Sequence, residues 1–196
     1  MTPYDILMHE HRLIEQVLNC LEKIVHQATV GGKVDKASAL NALDFLRSFA
    51  DGCHHGKEEA ILFPLMEANG FSGGCSPVAV MQREHELARL YLQGMAATVD
   101  GAAAGEPDAL MWFIQHGQNY TKLLREHIRK EDICLFPSAS HRLTENDEKQ
   151  MLTAFEEFEA TDANRGTHEK YVELANQLAD RFGVPQVAMH LCEAHC

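Results

Sequence analysis

The run His54-His55-Gly56-Lys57-Glu58-Glu59-Ala60-Ile61-Leu62-Phe63-Pro64 returns as His127-Ile128-Arg129-Lys130-Glu131-Asp132-Ile133-Cys134-Leu135-Phe136-Pro137, at a constant offset. Each copy holds a histidine and a glutamate four residues apart, then Leu-Phe-Pro. On a helix such a pair projects from one face, one turn apart, so a single helix can offer an imidazole and a carboxylate to one cation. An upstream pair recurs too: Glu10-His11 corresponds to Glu84-His85. Each half then reads as a helix with one histidine, a connection, and a helix with His-x-x-x-Glu. Two such hairpins predict an all-α, up-down-up-down four-helix bundle with a shared centre inside.

The candidate metal ligands are His11, His54, Glu58, His85, His127 and Glu131. Four imidazoles and two carboxylates suit iron or manganese. If both carboxylates bridge, roughly four of about twelve positions on two octahedral ions stay open for outside ligands. A bundle interior does not hold such groups without something to pair them. His55 and Glu59 form a second pair at the same spacing. The repeat favours His54, which corresponds to His127, over His55, which corresponds to Ile128. His55 is therefore expected behind the ligands or as an alternative to one of them. Lys57 and Lys130 recur and read as solvated charge. Tyr120 lies two turns before His127 on the same face and is a candidate to hydrogen-bond a bound ligand.

The order His, His-x-x-x-Glu, His, His-x-x-x-Glu resembles the hemerythrin-like HHE cation-binding domains. The likeness covers about residues 3–140 and is strongest at Glu10 to Ile14, His54 to Pro64, Met81 to Glu86 and Leu124 to Pro137. The resemblance implies a non-haem centre of two iron ions, bridged by two carboxylates and an oxo or hydroxo group, with manganese or zinc as substitutes. It also implies a small ligand (oxygen, nitric oxide or peroxide), bound, sensed or consumed, with iron delivery or repair of iron centres as the alternative. Dedicated oxygen carriers have His-x-x-x-His on the third helix, whereas here His85 is followed by Arg89. They also use an aspartate five residues after the last histidine. Asp132 occupies that spacing, but Glu131 fits the internal repeat better.

The elements that must carry these groups are legible as helices. Thr2-Pro3-Tyr4-Asp5 is a helix start, and apolar residues at helical spacing run from Ile6 to Val25, closed by Gly31-Gly32. A second helix is expected from about Asp35, weakened at Gly52 and Gly56, with Pro64 demanding a kink or an end. Those glycines could permit close helix approach near the centre. A third is expected over about residues 78–103 and a fourth over about 108–138. Two shorter helices follow, one opening at Thr144 and one running from Thr167 to about Phe182. The expected organisation is a bundle over residues 1–140, a helical extension over 141–185 and a tail over 186–196. In that tail His190, Cys192, His195 and Cys196 mix soft ligands without any standard finger spacing. Trp112 is read as core, and Cys20, Cys53 and Cys134 as buried fillers.

Composition narrows the partners. The 196 residues carry a net charge of -12 with twelve histidines counted neutral, which disfavours phosphate backbones and hence nucleic acid. No apolar run approaches a membrane span, and no basic, apolar leader opens the chain. The expected setting is the cytoplasm, as a monomer or homodimer.

Overall fold

The computed structural model describes residues 1–161 and 166–187, with only the backbone of Thr167. Six continuous helical rods make up the described chain, and no strand occurs among these residues. Helix α1 spans Pro3–Gly31 and α2 spans 36–68. Helix α3 spans Pro77–Ala104, α4 spans 107–142, α5 spans Glu145–Ala160 and α6 spans Thr167–Phe182. The expected starts hold. Thr2 and Thr144 each form a reciprocal capping box, with Asp5 and Asp147, and Ser76 caps α3 through the Ala79 amide. Gly32 ends α1 in the left-handed conformation, φ 73°, which costs glycine least.

Helices α1 to α4 form the up-down-up-down bundle. The α3–α4 hairpin is its most extensive contact, α1 lies along α4, and α2 touches α1 and α3. Helix α6 covers α1 and α2, while α5 lies on α1 and on the Glu58–Leu62 stretch of α2. Two apolar clusters result. One surrounds Leu13, Val17, Leu46, Phe49, Ala88, Leu92, Phe113, Tyr120 and Leu124. The other joins Leu7, Leu62, Phe63, Met66, Met81, Leu135 and Phe136 to Met151 and Phe155 of α5. Between them, at one level of the bundle, sit buried histidines and glutamates from all four helices.

Helices α2 and α4 are interrupted by π-helical turns, over Leu46–His55, Glu58–Leu62 and Glu131–Leu135. The last two obey the sequence repeat. In each, the amide after the turn reaches five residues back, Phe63 to the Glu58 carbonyl and Phe136 to the Glu131 carbonyl. The cause is the proline that follows. Pro64 and Pro137 have no N–H, so the ordinary ladder loses a bond there, and the widened turn absorbs the loss. Pro64 therefore does not end its helix; it begins the next α-helical stretch within the same rod.

Other expectations change. Trp112 is half-exposed and stacks on His116 rather than entering the core. Cys20 and Cys53 are buried, but Cys134 is exposed. Gly52 marks no close approach: a Cβ there would meet only the Arg47 carbonyl oxygen, at an ordinary 3.4 Å. Gly56 does mark one, since a Cβ there would lie 2.8 Å from the Phe158 ring of α5. The His190–Cys196 tail lies outside the described residues. Urea unfolding of the metal-free protein is expected to separate the two glycines. Gly56→Ala should cost about 1–3 kcal/mol by overpacking against Phe158, whereas Gly52→Ala should be neutral or stabilise by up to about 1 kcal/mol.

Candidate metal centre

Each helix of the bundle brings its histidine to the polar layer by ordinary amphipathic placement. On α1, Leu7 belongs to one apolar cluster and Leu13 to the other, with Glu10 and His11 between them. On α3, Met81 and Ala88 bracket His85 in the same way. All six residues expected from the sequence, His11, His54, Glu58, His85, His127 and Glu131, are buried here at 0–1% exposure. Their side chains fall into two groups that share one carboxylate. His11, His54, Glu58 and Glu131 place ligand-type atoms within 4.8 Å of one another, and so do His55, Glu58, His85 and His127. Glu131 touches both sides, with oxygens 3.2 Å from the Nε2 atoms of His11 and His127.

His55 is the main addition. Its ring stacks on His85 with centroids 3.8 Å apart, so five imidazoles converge rather than four. A π-turn explains this. Each residue of the wide Leu46–His55 turn advances through a smaller angle than in an α-helix, and successive side chains His54 and His55 both face inward.

All five imidazoles are anchored alike. Nδ1 of His11 meets Asp132 at 2.7 Å, of His54 Glu10 at 2.9 Å, and of His55 Asp51 at 3.3 Å. Nδ1 of His85 meets Glu59 at 2.7 Å and of His127 Glu84 at 3.0 Å. A carboxylate only accepts, so each Nδ1 carries the hydrogen and the lone pair is left on Nε2, aimed at the centre. Behind each carboxylate stands a cation: Arg12 on Asp132, Lys57 on Glu10, Arg89 on Asp51 and Glu59, and Lys130 on Glu84. Such partners fix ring orientation and raise ligand basicity. Asp132, a candidate by spacing, thus holds His11 from behind. Lys57 is fully buried, against the expectation of solvated charge.

The Leu-Phe-Pro repeat is equally specific. Phe136 stacks on His11 and Phe63 on His85, each phenyl ring from one half covering an imidazole of the other.

The residues fit a cation. Both oxygens of Glu58, both of Glu131, and Nε2 of His11 and His54 are buried without a hydrogen-bond partner. Nε2 of His85 lies 3.0 Å from Nε2 of His127, although both rings have committed their Nδ1 hydrogens to carboxylates. Two lone pairs facing one another are relieved by a shared positive charge. The electrostatics of the layer agree. Burial, with repulsion from Glu131, pushes the Glu58 carboxyl well above its ordinary range. Burial would raise Glu131 too, but the imidazoles of His127 and His11 outweigh it and hold that group low. The facing carboxylates thus favour a single negative charge between them. Burial drives His85 down to about 3 and His55 to about 4. Burial opposes charge on His11 as well, but the carboxylates of Asp132 and Glu131 prevail and raise it to about 9, so a cation there would replace a proton on Nε2.

Tyr120 is fully buried in the neighbouring apolar cluster, its hydroxyl without a hydrogen-bond partner. The nearby charge of Asp51 adds to burial in raising its pKa.

The sequence comparisons agree with this geometry. The Hemerythrin HHE cation binding domain matches residues 2–139. Uncharacterized protein Rv1995 of Mycobacterium tuberculosis is 24% identical over 160 residues, 81% of this chain and 62% of its own length. The iron-sulfur cluster repair protein YtfE of an Enterobacter species is 31% identical over 126 residues, 61% of this chain and 57% of that one. YtfE of Musicola paradisiaca is 33% identical over 89 residues, 44% of this chain and 40% of that one. The chain thus spans about three fifths or less of the length of these relatives. No solved structure matches it. A match over residues 2–139, which holds every group of the buried imidazole–carboxylate layer, leaves one assignment: the chain belongs to the hemerythrin HHE cation-binding domain family.

Proposed function

We propose that this layer holds two iron ions. His11, His54 and Glu131 would serve one ion, His55, His85 and His127 the other, and Glu58 both. The observation that carries the reading is the set of five buried imidazoles, each locked by a carboxylate in the tautomer that turns Nε2 inward. When bound, the ions supply Lewis acidity and one-electron redox chemistry to a small ligand such as oxygen, nitric oxide or peroxide. The chain's own part is to hold the ligand atoms, to exclude water through the Phe63 and Phe136 rings, and to offer the Tyr120 hydroxyl as a donor. Residues 1–140 form the metal-bearing unit in this reading, and 141–185 a covering extension. Among the described residues no helix is long and apolar enough to cross a membrane.

A second reading, iron delivery for the repair of iron centres, is favoured by the likeness to proteins named for iron-sulfur cluster repair. The two separate experimentally. Ligand binding is expected to change the optical spectrum of the iron-loaded protein on adding azide or nitric oxide. Iron delivery would instead restore an iron-depleted iron-sulfur protein mixed with it.

Elemental analysis is expected to find two metal ions per chain, with Glu58→Ala and Glu131→Ala each sharply depleted. His55→Ala should lose mainly one ion of the two, and a variant that keeps both would remove His55 from the ligand set.

Glu58→Gln tests the centre against stability. A glutamine imitates the protonated carboxyl that burial favours, so the metal-free variant should unfold within about 1 kcal/mol of the wild type. The wild type should gain about 4 kcal/mol from metal at a thousandfold excess over Kd, and the variant almost none. An equal gain in both proteins would exclude Glu58 as a ligand.

A further inference from the structure

Helix α5 lies beyond the segment that matches the family, yet it reaches the polar layer. Phe158 fills the space left by Gly56, and the Phe155 ring lies 5.5 Å beneath the Lys57 ammonium. Glu159 accepts a hydrogen bond from Lys57 at 2.6 Å. Lys57 also bonds Glu10, and Glu10 holds Nδ1 of His54 at 2.9 Å. A continuous polar chain therefore runs from the half-buried Glu159 through the fully buried Lys57 and Glu10 to His54.

The other half of the bundle has the same triad without the last link. Glu84, His127 and Lys130 correspond to Glu10, His54 and Lys57 by the repeat, but Lys130 is 39% exposed and, among the described residues, is paired with Glu84 alone. Water screens that ammonium, whereas Lys57 has no water to do so. Beyond Glu10, the group that shares the charge of the Lys57 ammonium is the Glu159 carboxylate. Glu10, Cys53 and Glu159 could themselves surround a metal ion. The Lys57 ammonium, bonded to both carboxylates, occupies that space instead.

We propose that Glu159 is a positioning residue for His54, acting through Lys57 and Glu10. This rests on the reading of His54 as a metal ligand. By drawing part of the ammonium's charge to itself, Glu159 leaves Glu10 a stronger acceptor for the His54 Nδ1–H. A stronger acceptor makes Nε2 the better donor to a metal. The C-terminal extension thereby strengthens one of the two metal positions and leaves the other as the bundle alone makes it.

Two measurements on the full chain test this, with Glu157→Gln, an exposed neighbour on the same helix, as control. In the metal-free protein, NMR of the His54 ring reads the Nδ1–H hydrogen bond directly. Glu159→Gln should move that resonance upfield, Glu159→Asp should partly restore it, and Glu157→Gln should leave it in place. In the Co(II)-loaded protein, release to a chelator should become about tenfold faster for one ion in Glu159→Gln and stay unchanged for the other. An unmoved His54 resonance, or equal acceleration of both ions alongside a lower Tm, overturns the proposal. A shifted resonance in a protein that takes up no metal would sink the di-iron reading and leave the Glu159–His54 coupling standing.

Discussion

One constraint governs this molecule: imidazole nitrogens and carboxylate oxygens sit dry between two apolar clusters and cannot be answered by water. Leaving any one such group unpaired in a protein interior costs about 1–3 kcal/mol, and more when it is charged. The chain settles the outward-facing half of each group internally. Each of the five Nδ1 atoms of the layer has its carboxylate, and each of those carboxylates has a lysine or arginine behind it. The inward-facing half stays unanswered, and that remainder of unsatisfied lone pairs defines the affinity for a cation. The stacked phenylalanines, the π-turns and the buried lysine all maintain this division between a satisfied outside and an unsatisfied inside.

Much of this was readable in the amino-acid sequence because the two halves repeat. Correspondence between Glu10-His11 and Glu84-His85, and between the two His-x-x-x-Glu runs, was enough to select six residues that the fold does bury together. Helix starts were equally plain at Thr2 and Thr144, where local chemistry decides the backbone. His55 was not, because its inward aim depends on a π-turn and helical periodicity counts 3.6 residues per turn. Asp51, Glu59 and Glu84 look like surface acids on polar helix faces, and their partners lie 4 to 43 positions away. The recurrence of Glu10 as Glu84 was the one available signal for that role. Burial of Lys57 could not be inferred locally either, since the residues that cover it, Phe155 and Glu159, come from α5 about a hundred residues later.

The two halves share one plan but not one environment. The Lys130–Glu84 pair stays open to solvent, while Lys57–Glu10 is closed by α5. Salt and water act on the first pair and hardly on the second. A bundle built from two similar hairpins therefore gives the two halves of its buried layer unlike surroundings, and the difference originates in chain that follows the bundle.

The paired π-turns have a further consequence. Each acts as a phase slip: the helix runs in one register up to the glutamate and in a rotated register after the proline. A one-residue deletion within Glu58–Leu62 or Glu131–Leu135 would restore uniform α-helical winding while keeping every apolar residue outside the turn. It would also swing the downstream half of the rod, and the phenylalanine that covers the opposite histidine, away from the bundle axis. The extra residue in each rod works like a gear tooth that keeps two lengths of helix meshed with different neighbours.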